Sequence, residues 1–584
     1  MNLRTKTSEI TLSFDVEKLD ETYDFFYFRT SEKYIQRGAR ILDLPDLPAK
    51  ALSITFDYGA SFFAMFEKGG IKLSELQHSV NDENIAIKKV SSQDLKPQIL
   101  GRLLLCSLAN SNYQENYFNN LTGKLYWFLP EKQKKFLKAV QIDIGLYQSH
   151  MILEATSTTF TRIDVFKNQK VLKVYPKYTF SYNGKLKRSL DEKEDSSLYV
   201  HRVPAESKTH LDFLDFSKTR IKETRAYLLD TTLHAFNDKF QGLASMQFVE
   251  QEIQERITNK KDEDFFEGVK QALIGKTLNF INLDKTPEDQ EAFSILKEKL
   301  LALAPYCFEK ESLEFDNESP NIVFLHDRDY YIKNELEDPY PKLPRNCVIQ
   351  CVTRENALAV DTEVVYKTIL KETAIKEDII HQRRFTLDDW SMFGFTGNWI
   401  FGIEEDDAAY FLEVAPDGSF ETIKPIGLFQ AYKSPIYQDM ALTLHSEAGK
   451  GKTIIADDKG NINVIASTGI LTLPDSEVFT APSRSKDFVE NHLAGLTGIN
   501  LYEKDNNTFY NCGAFAQGLN KSLPTGSLLY AVTPIQGKVI IKELLETMSV
   551  LFVRWNSYTV LPYPVKYLRE WVEIEKNSKP IEKK

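Results

Sequence analysis

At 584 residues the chain is too long for a single core and sets an expectation of about three to five domains. Its 42% apolar and 27% charged residues mark an ordinary folded protein without low-complexity tracts, and no apolar run nears the ~18 residues a membrane span needs. A net charge of −11 excludes a protein that coats nucleic acid over its whole surface, yet it leaves room for a local basic channel, because charges more than about 10 Å apart are screened at 0.1 M salt. Five cysteines without a C-x-x-C pair point to a reducing compartment and away from zinc, and the N-terminus lacks a signal-peptide core, so the expected location is the cytoplasm.

Residues 1–150 read as one α+β domain. Ile10-Thr11-Leu12-Ser13-Phe14 and Ala51-Leu52-Ser53-Ile54-Thr55-Phe56 alternate with period two, as half-buried strands do. Helical spacing over 95–109, with Pro97 in the first turn, is followed by strands at 126–129 and 139–144. Residues 151–305 read as a linker region of a basic hairpin and helices. Lys173, Lys177, Lys185, Lys187 and Arg188 interleave with Tyr178, Phe180 and Tyr182 around an Asn183-Gly184 turn. A lysine hairpin beside an aromatic row has the chemistry to track a nucleic-acid backbone and stack bases; a solvated basic face is the plainer alternative. Ile221, Leu228, Leu229, Leu233, Phe236 and Phe240 predict a helix over 217–241 capped by Ser217, with a polar helical stretch continuing to about Lys261. Thr286-Pro287-Glu288 starts another helix, running to about Leu303.

Residues 306–385 read as a βαβα unit: buried strands at 321–326 and 347–353, charged residues between them, and a helix over 364–379. In such units ligands collect at strand C-termini and helix N-termini. Cys347 and Cys351 read as buried thiols, and His326-Asp327-Arg328-Asp329 as a helix N-terminal cluster. Residues 386–584 then run through strands at 399–403, 410–414, 453–456 and 508–510, with an acidic loop at Glu404-Glu405-Asp406-Asp407 and a turn at Pro416-Asp417-Gly418-Ser419. Gly449-Lys450-Gly451-Lys452-Thr453 is a hairpin turn and not a phosphate loop, since Ser446 occupies the first glycine position and Ile454-Ile455 reads as strand. A last amphipathic helix is predicted over 539–552. In Leu561-Pro562-Tyr563-Pro564-Val565-Lys566-Tyr567 two prolines fix φ and remove two donors, which makes this strip an extended lead-in to a terminal helix.

Gln350 lies in the second strand of the βαβα unit, and Lys371 and Lys376 lie on the helix after it. A terminal phosphate requires cationic donors converging with a polar side chain, each charge-assisted bond being roughly twice as strong as a neutral one. This order resembles the guide 5′-end pocket of the Argonaute MID domain, in which a Tyr and a Lys precede the Gln; Tyr340 and Lys342 stand there, closer together than the family's pair. The close of the chain resembles the end of a Piwi domain: a basic residue, Arg554, the proline strip, and a helix start at Pro564-Val565-Lys566-Tyr567. Gly402-Ile403-Glu404 stands where the RNase H-like Piwi domain has Gly-Ile-Asp. Two-metal hydrolysis needs carboxylates converging on cations about 4 Å apart, so a Glu in place of the shorter Asp displaces the ligand. Asp406, Asp457 and Asp458 are the other carboxylates, and no later Asp or His completes the set. The expectation is a degenerate, non-cleaving domain without a metal site; Glu404, Asp406, Asp457 and Asp458 are the candidates if it cleaves.

The resemblance implies a multidomain α/β and α+β chain: an α+β N-terminal domain, a helical and β linker region without a full PAZ barrel, a MID-like βαβα domain, and an RNase H-like C-terminal domain. It implies a guide-dependent nucleic-acid-binding protein in prokaryotic defence against plasmids or phages. Such a protein holds a guide RNA or DNA and its complementary target, needs no membrane, and acts through a partner effector, a nuclease or helicase. By the same resemblance Tyr340, Lys342, Gln350, Lys371 and Lys376 bind the guide 5′-phosphate. Backbone and stacking contacts fall to Lys173, Lys177, Lys185, Lys187, Arg188, Tyr178 and Arg554, and Mg2+ at the guide 5′ end is the candidate cofactor. Two alternatives stay open: an active, metal-dependent guided nuclease, and a scaffold whose MID-like unit is an α/β adaptor that binds no nucleic acid.

Overall fold

The computed structural model describes the chain except residues 1–2, 30–49, 58–60, 81–84, 111–116, 122, 129–133, 167–174, 181–184, 190–196, 202–209, 259–264, 284–285, 345–346, 356–362, 426–431, 433, 447–451, 516–518, 520, 551–557 and 578–584. Lys173, the Asn183-Gly184 turn and Arg554 therefore lie outside the described residues. Two compact units emerge, one of Met1–Ile253, Thr468–Leu496 and Ala516–Leu529, the other of Gln254–Ser467, Thr497–Phe515 and Tyr530–Lys584. Together they form a mixed, multidomain α/β and α+β architecture. Among the described residues no helix is long and apolar enough to cross a membrane.

In the first unit, aromatic alternation builds a four-stranded sheet. Ser61–Glu67 pairs with Ser53–Phe56 on one side and Tyr23–Arg29 on the other, and the latter also pairs with Ala86–Val90. Phe28 and Phe62 stack in its core with ring centroids 4.4 Å apart. The helix Pro97–Cys106 begins on its proline, as the missing N–H allows. Phe136–Tyr147 and His150–Arg162 form one long hairpin that runs straight across the division expected at residue 150. The basic hairpin exists, Lys177–Phe180 pairing with Leu186–Arg188, but Tyr178 is only 6% exposed and meets Phe160 edge-on at 5.5 Å. The aromatic row is core, which corrects the assignment of Tyr178 as a stacking surface. The helix Arg225–Lys239 is capped by Thr224 rather than Ser217, because a 3-10 turn at Ile221–Glu223 intervenes. The polar stretch beyond it is strand, not helix: Ala244–Glu252 pairs with Arg4–Phe14, burying Ala244 and Met246 on alternate positions.

The second unit contains a four-stranded sheet of β1 (Thr277–Asn282), β2 (Phe308–Glu311), β3 (Asn321–Leu325) and β4 (Ile349–Thr353), ordered β2-β1-β3-β4 with every pairing parallel. Its helices are α1 (Pro287–Leu303), capped by the Thr286 hydroxyl, then α2 (Arg328–Lys333), capped by Asp327, and α3 (Glu363–Glu377). Because β1 and α1 share one core with β3, β4 and α3, through Phe280, Phe293, Phe324, Val352 and Leu370, this α/β layer starts well before the division expected at 306. The run Leu278-Asn279-Phe280-Ile281 is too short to announce itself as a buried strand.

Three antiparallel strands follow, β5 (Trp399–Glu405), β6 (Ala408–Val414) and β7 (Phe420–Ile423), then α4 (Pro435–His445) and β8 (Thr453–Asp457) on the other side of β5. Asp406 and Asp407 close the β5–β6 hairpin with φ of 50° and 60°, as a two-residue turn demands. Segment 539–552 is not the long helix expected. One α turn at Ile541–Leu544 passes into a 3-10 turn at Leu545–Met548, and the N–H groups of Lys538 and Ile540 donate to the Asn461 and Asn463 side chains instead of continuing a helix. The terminal helix α5 (Pro564–Asn577) starts on Pro564 and buries Tyr567, Leu568, Trp571 and Val572 in the same core as the parallel sheet.

Candidate functional site

β4 stands at the edge of the parallel sheet, in register with β3 so that Gln350 lies opposite Ile322. α3 returns across it and brings Lys376 down at its C-terminal turn, where the helix dipole favours a cation. There the Lys376 ammonium donates to Gln350 Oε1 at 2.8 Å and to the Ile349 carbonyl at 3.0 Å. Both side chains face a cavity of about 480 Å³, within the range of small-ligand sites, whose wall also includes Tyr340, Arg328 and, from α5, Glu570 and Glu573. The Tyr340 hydroxyl donates to the His326 carbonyl at 3.3 Å, and burial pushes its phenol up to about 12. The Arg328 guanidinium lies over the Tyr340 ring at 5.0 Å, with Nε 3.7 Å from Asp338. Cys347 and Cys351 also line the wall; burial pushes both thiols up, which makes them poor nucleophiles.

Of the five residues the sequence assigned to this pocket, the structure brings together Tyr340, Gln350 and Lys376. Lys342 is exposed and pairs with Glu337 at 2.6 Å, away from the cavity, because the 3-10 turn Tyr340–Lys342 sends consecutive side chains in different directions. Lys371 is buried behind the wall, 3.6 Å from Glu372; burial, and then the neighbouring Lys566, lower its pKa. Lys566 bridges Glu372 and Glu570. Burial raises the Glu570 pKa and the adjacent Glu372 adds to it; burial also opposes ionisation of Glu372, but Lys566 and Lys371 outweigh it, so a shared proton sits on Glu570 in preference. One residue beyond α3, Asp378 accepts from Thr386 N at 2.9 Å, Thr386 Oγ1 at 2.7 Å and the Tyr567 hydroxyl at 2.8 Å, which ties α3 to α5. Burial pushes its carboxyl up to about 7.

Arg328, Glu570 and Glu573 escaped sequence reasoning. Glu570 and Glu573 share one face of α5 by their i, i+3 spacing, a visible signal, but nothing in the sequence says that this face meets β4. The cluster after β3 is a helix start as expected, Asp327 accepting from Tyr330 N at 2.8 Å. His326 itself is buried between Glu355, at 2.5 Å, and Asp289, at 3.4 Å, with the Tyr330 ring stacked on it.

The acidic candidates do not converge. The β5–β8 register places Asp457 opposite Trp399 and Thr453 opposite Ile403, so Glu404 and Asp457 stand at opposite ends of the strand pair, roughly 17 Å apart at ~3.4 Å per residue. Glu404 pairs with His445 at 2.8 Å and Asp406 with Lys576 at 3.2 Å. Asp457 closes its own turn, accepting from Lys459 N, Asn461 N and Asn461 Nδ2, and Asp458 packs beside Gly397. Among the described residues no group of three or more His, Cys, Asp or Glu side chains is placed to hold a metal ion. In the first unit, the Lys185 ammonium donates to the Phe118 carbonyl and burial lowers its pKa to about 8, while Lys187 is exposed and Lys177 and Arg188 are partly so.

No protein-family model matches the sequence, and no curated protein matches it. Solved structures do match in fold. Argonaute of Kluyveromyces polysporus with a guide RNA superposes with a TM-score of 0.55 at 10% identity, over 99% of this chain and 94% of that one. Argonaute of Clostridium butyricum, bound to a guide DNA and a 19-mer target DNA, gives a TM-score of 0.42 at 9% identity, over 99% and 98%. The chain has an Argonaute-like fold.

Proposed function

We propose that this protein binds a guide oligonucleotide and, through it, a complementary strand, and that the cavity between β4, the end of α3 and α5 receives the guide's 5′ end. The observation that carries the reading is the convergence of Lys376, Gln350 and Tyr340 on one hollow at the edge of a parallel sheet, in a chain whose fold follows a guide-bound Argonaute along nearly its whole length. Base pairing supplies sequence specificity in such a system, and the protein contacts mostly backbone and duplex shape. Lys177, Lys187 and Arg188 are the backbone contacts in this reading. The separation of Glu404 from Asp457 favours a binder that does not cleave and that works through a partner effector, a nuclease or helicase, in cytoplasmic defence against plasmids or phages.

Purification without nuclease tests the reading. A short oligonucleotide is expected to co-purify, seen as a raised 260/280 nm absorbance ratio that digestion removes. A preparation free of nucleic acid, which also fails to bind added single strands, would favour the scaffold alternative.

A further inference from the structure

Resting on that reading, we infer that the cavity selects a guide whose 5′ end is an unphosphorylated hydroxyl, and that Glu573 and Glu570 are the residues that set this preference. A terminal phosphate brings a charge of about −1.5 to −2 and needs a cationic surplus to offset its loss of water. The described residues of this wall hold no such surplus. Arg328 and Lys376 face Glu570 and Glu573 across the hollow, two cations against two carboxyl groups. Two of the three Lys376 donors are engaged, on Gln350 Oε1 and the Ile349 carbonyl, and Arg328 is shared with Asp338 and the Tyr340 ring.

Behind the wall, Lys371, Glu372, Lys566 and Glu570 again pair two cations with two carboxyl groups, so the buried layer lends no positive field. Lys342, which would have tipped the balance, points elsewhere and is paired with Glu337. The remaining wall is apolar, with Ile349, Ile380, Ile574 and Leu343 facing the same space. An apolar wall with two carboxyl groups and one amide suits a nucleoside: the base lies against the aliphatic side, and the 5′ and sugar hydroxyls donate to Glu570 and Glu573.

The experiment compares binding of one short single-stranded oligonucleotide with a 5′-hydroxyl or a 5′-phosphate end, as DNA and as RNA, to the full chain by fluorescence anisotropy. The hydroxyl end is expected to bind about tenfold tighter, the factor produced by a few ångströms' separation of like charges at a partly solvated site. Glu573→Lys, at an exposed position where the fold tolerates a change, is expected to abolish or reverse the preference, with circular dichroism confirming the fold. Equal or tighter binding of the phosphorylated end by the wild-type protein overturns the inference and leaves guide binding standing. An unchanged preference in Glu573→Lys removes Glu573 from the account, and binding of neither end to the wild-type protein overturns the guide-binding reading itself.

Discussion

Asp378→Asn tests the junction that holds α5 against the α/β layer. In the folded protein burial moves the Asp378 carboxyl from its ordinary 3.8 to about 7, against the pull of the Thr386 and Tyr567 hydrogen bonds. Because the folded value is the higher, the folded state binds more protons than the unfolded chain between those limits. The contribution to stability is fully present below pH 3.8 and is lost as pH rises through 7. The gap is worth ~4 kcal/mol over its whole span and about 2.5 kcal/mol between pH 5 and pH 8. Asparagine keeps an acceptor for Thr386 and carries no charge at either pH, so the variant should gain on the wild type by about 2.5 kcal/mol over that interval. Urea unfolding followed by tryptophan emission reads the second unit, where Trp390 packs against Tyr563 at 5.7 Å. Stability–pH curves for the two proteins that run parallel from pH 5 to pH 8 would refute the assignment of a protonated carboxyl to this junction.

Three other outcomes are expected. Lys376→Met strips the donor from Gln350 Oε1 and the Ile349 carbonyl; a bond to a charged donor is worth about 1.5–3 kcal/mol, so oligonucleotide affinity measured by anisotropy should fall roughly 10- to 100-fold. With guide, matched target and Mg2+ or Mn2+, no cleavage product should appear on a denaturing gel; a product at a fixed distance from the guide end, lost in Glu404→Ala, would reinstate the nuclease alternative. Tyr178→Ala should destabilise the first unit by about 3–5 kcal/mol in urea unfolding, as loss of a buried aromatic does, with nucleic-acid affinity changed less than by Lys187→Ala.

Local signals carried much of the architecture. Thr286-Pro287 marked the start of α1 and the alternation at 399–414 the β5–β6 hairpin, because capping and period two are written in neighbouring residues. The strands at 244–257 were misread as helix, since their partners, Arg4–Phe14 and Ile499–Lys504, lie hundreds of positions away. The site shows the same division. Gln350 and Lys376 were legible as a strand residue and a helix residue one connection apart. Glu570 and Glu573 were not, because only the folding of α5 onto β4 gives them a role, and Lys342 failed for want of a local rule fixing its direction in a 3-10 turn.

The way β8 lies against β5 also bears on how cleavage chemistry could arise in this scaffold. Extending the register by one step puts Lys452 across from Glu404 on one flank, while Ala409 faces it on the other. Lys452 and Arg569 share a small hollow of about 260 Å³ with Glu404. Shortening Glu404 to aspartate leaves that acid alone among cations; a dinuclear centre demands a further acid at Lys452 or Ala409. No one-codon reversion crosses that distance, so drift toward hydrolysis is blocked at its first step.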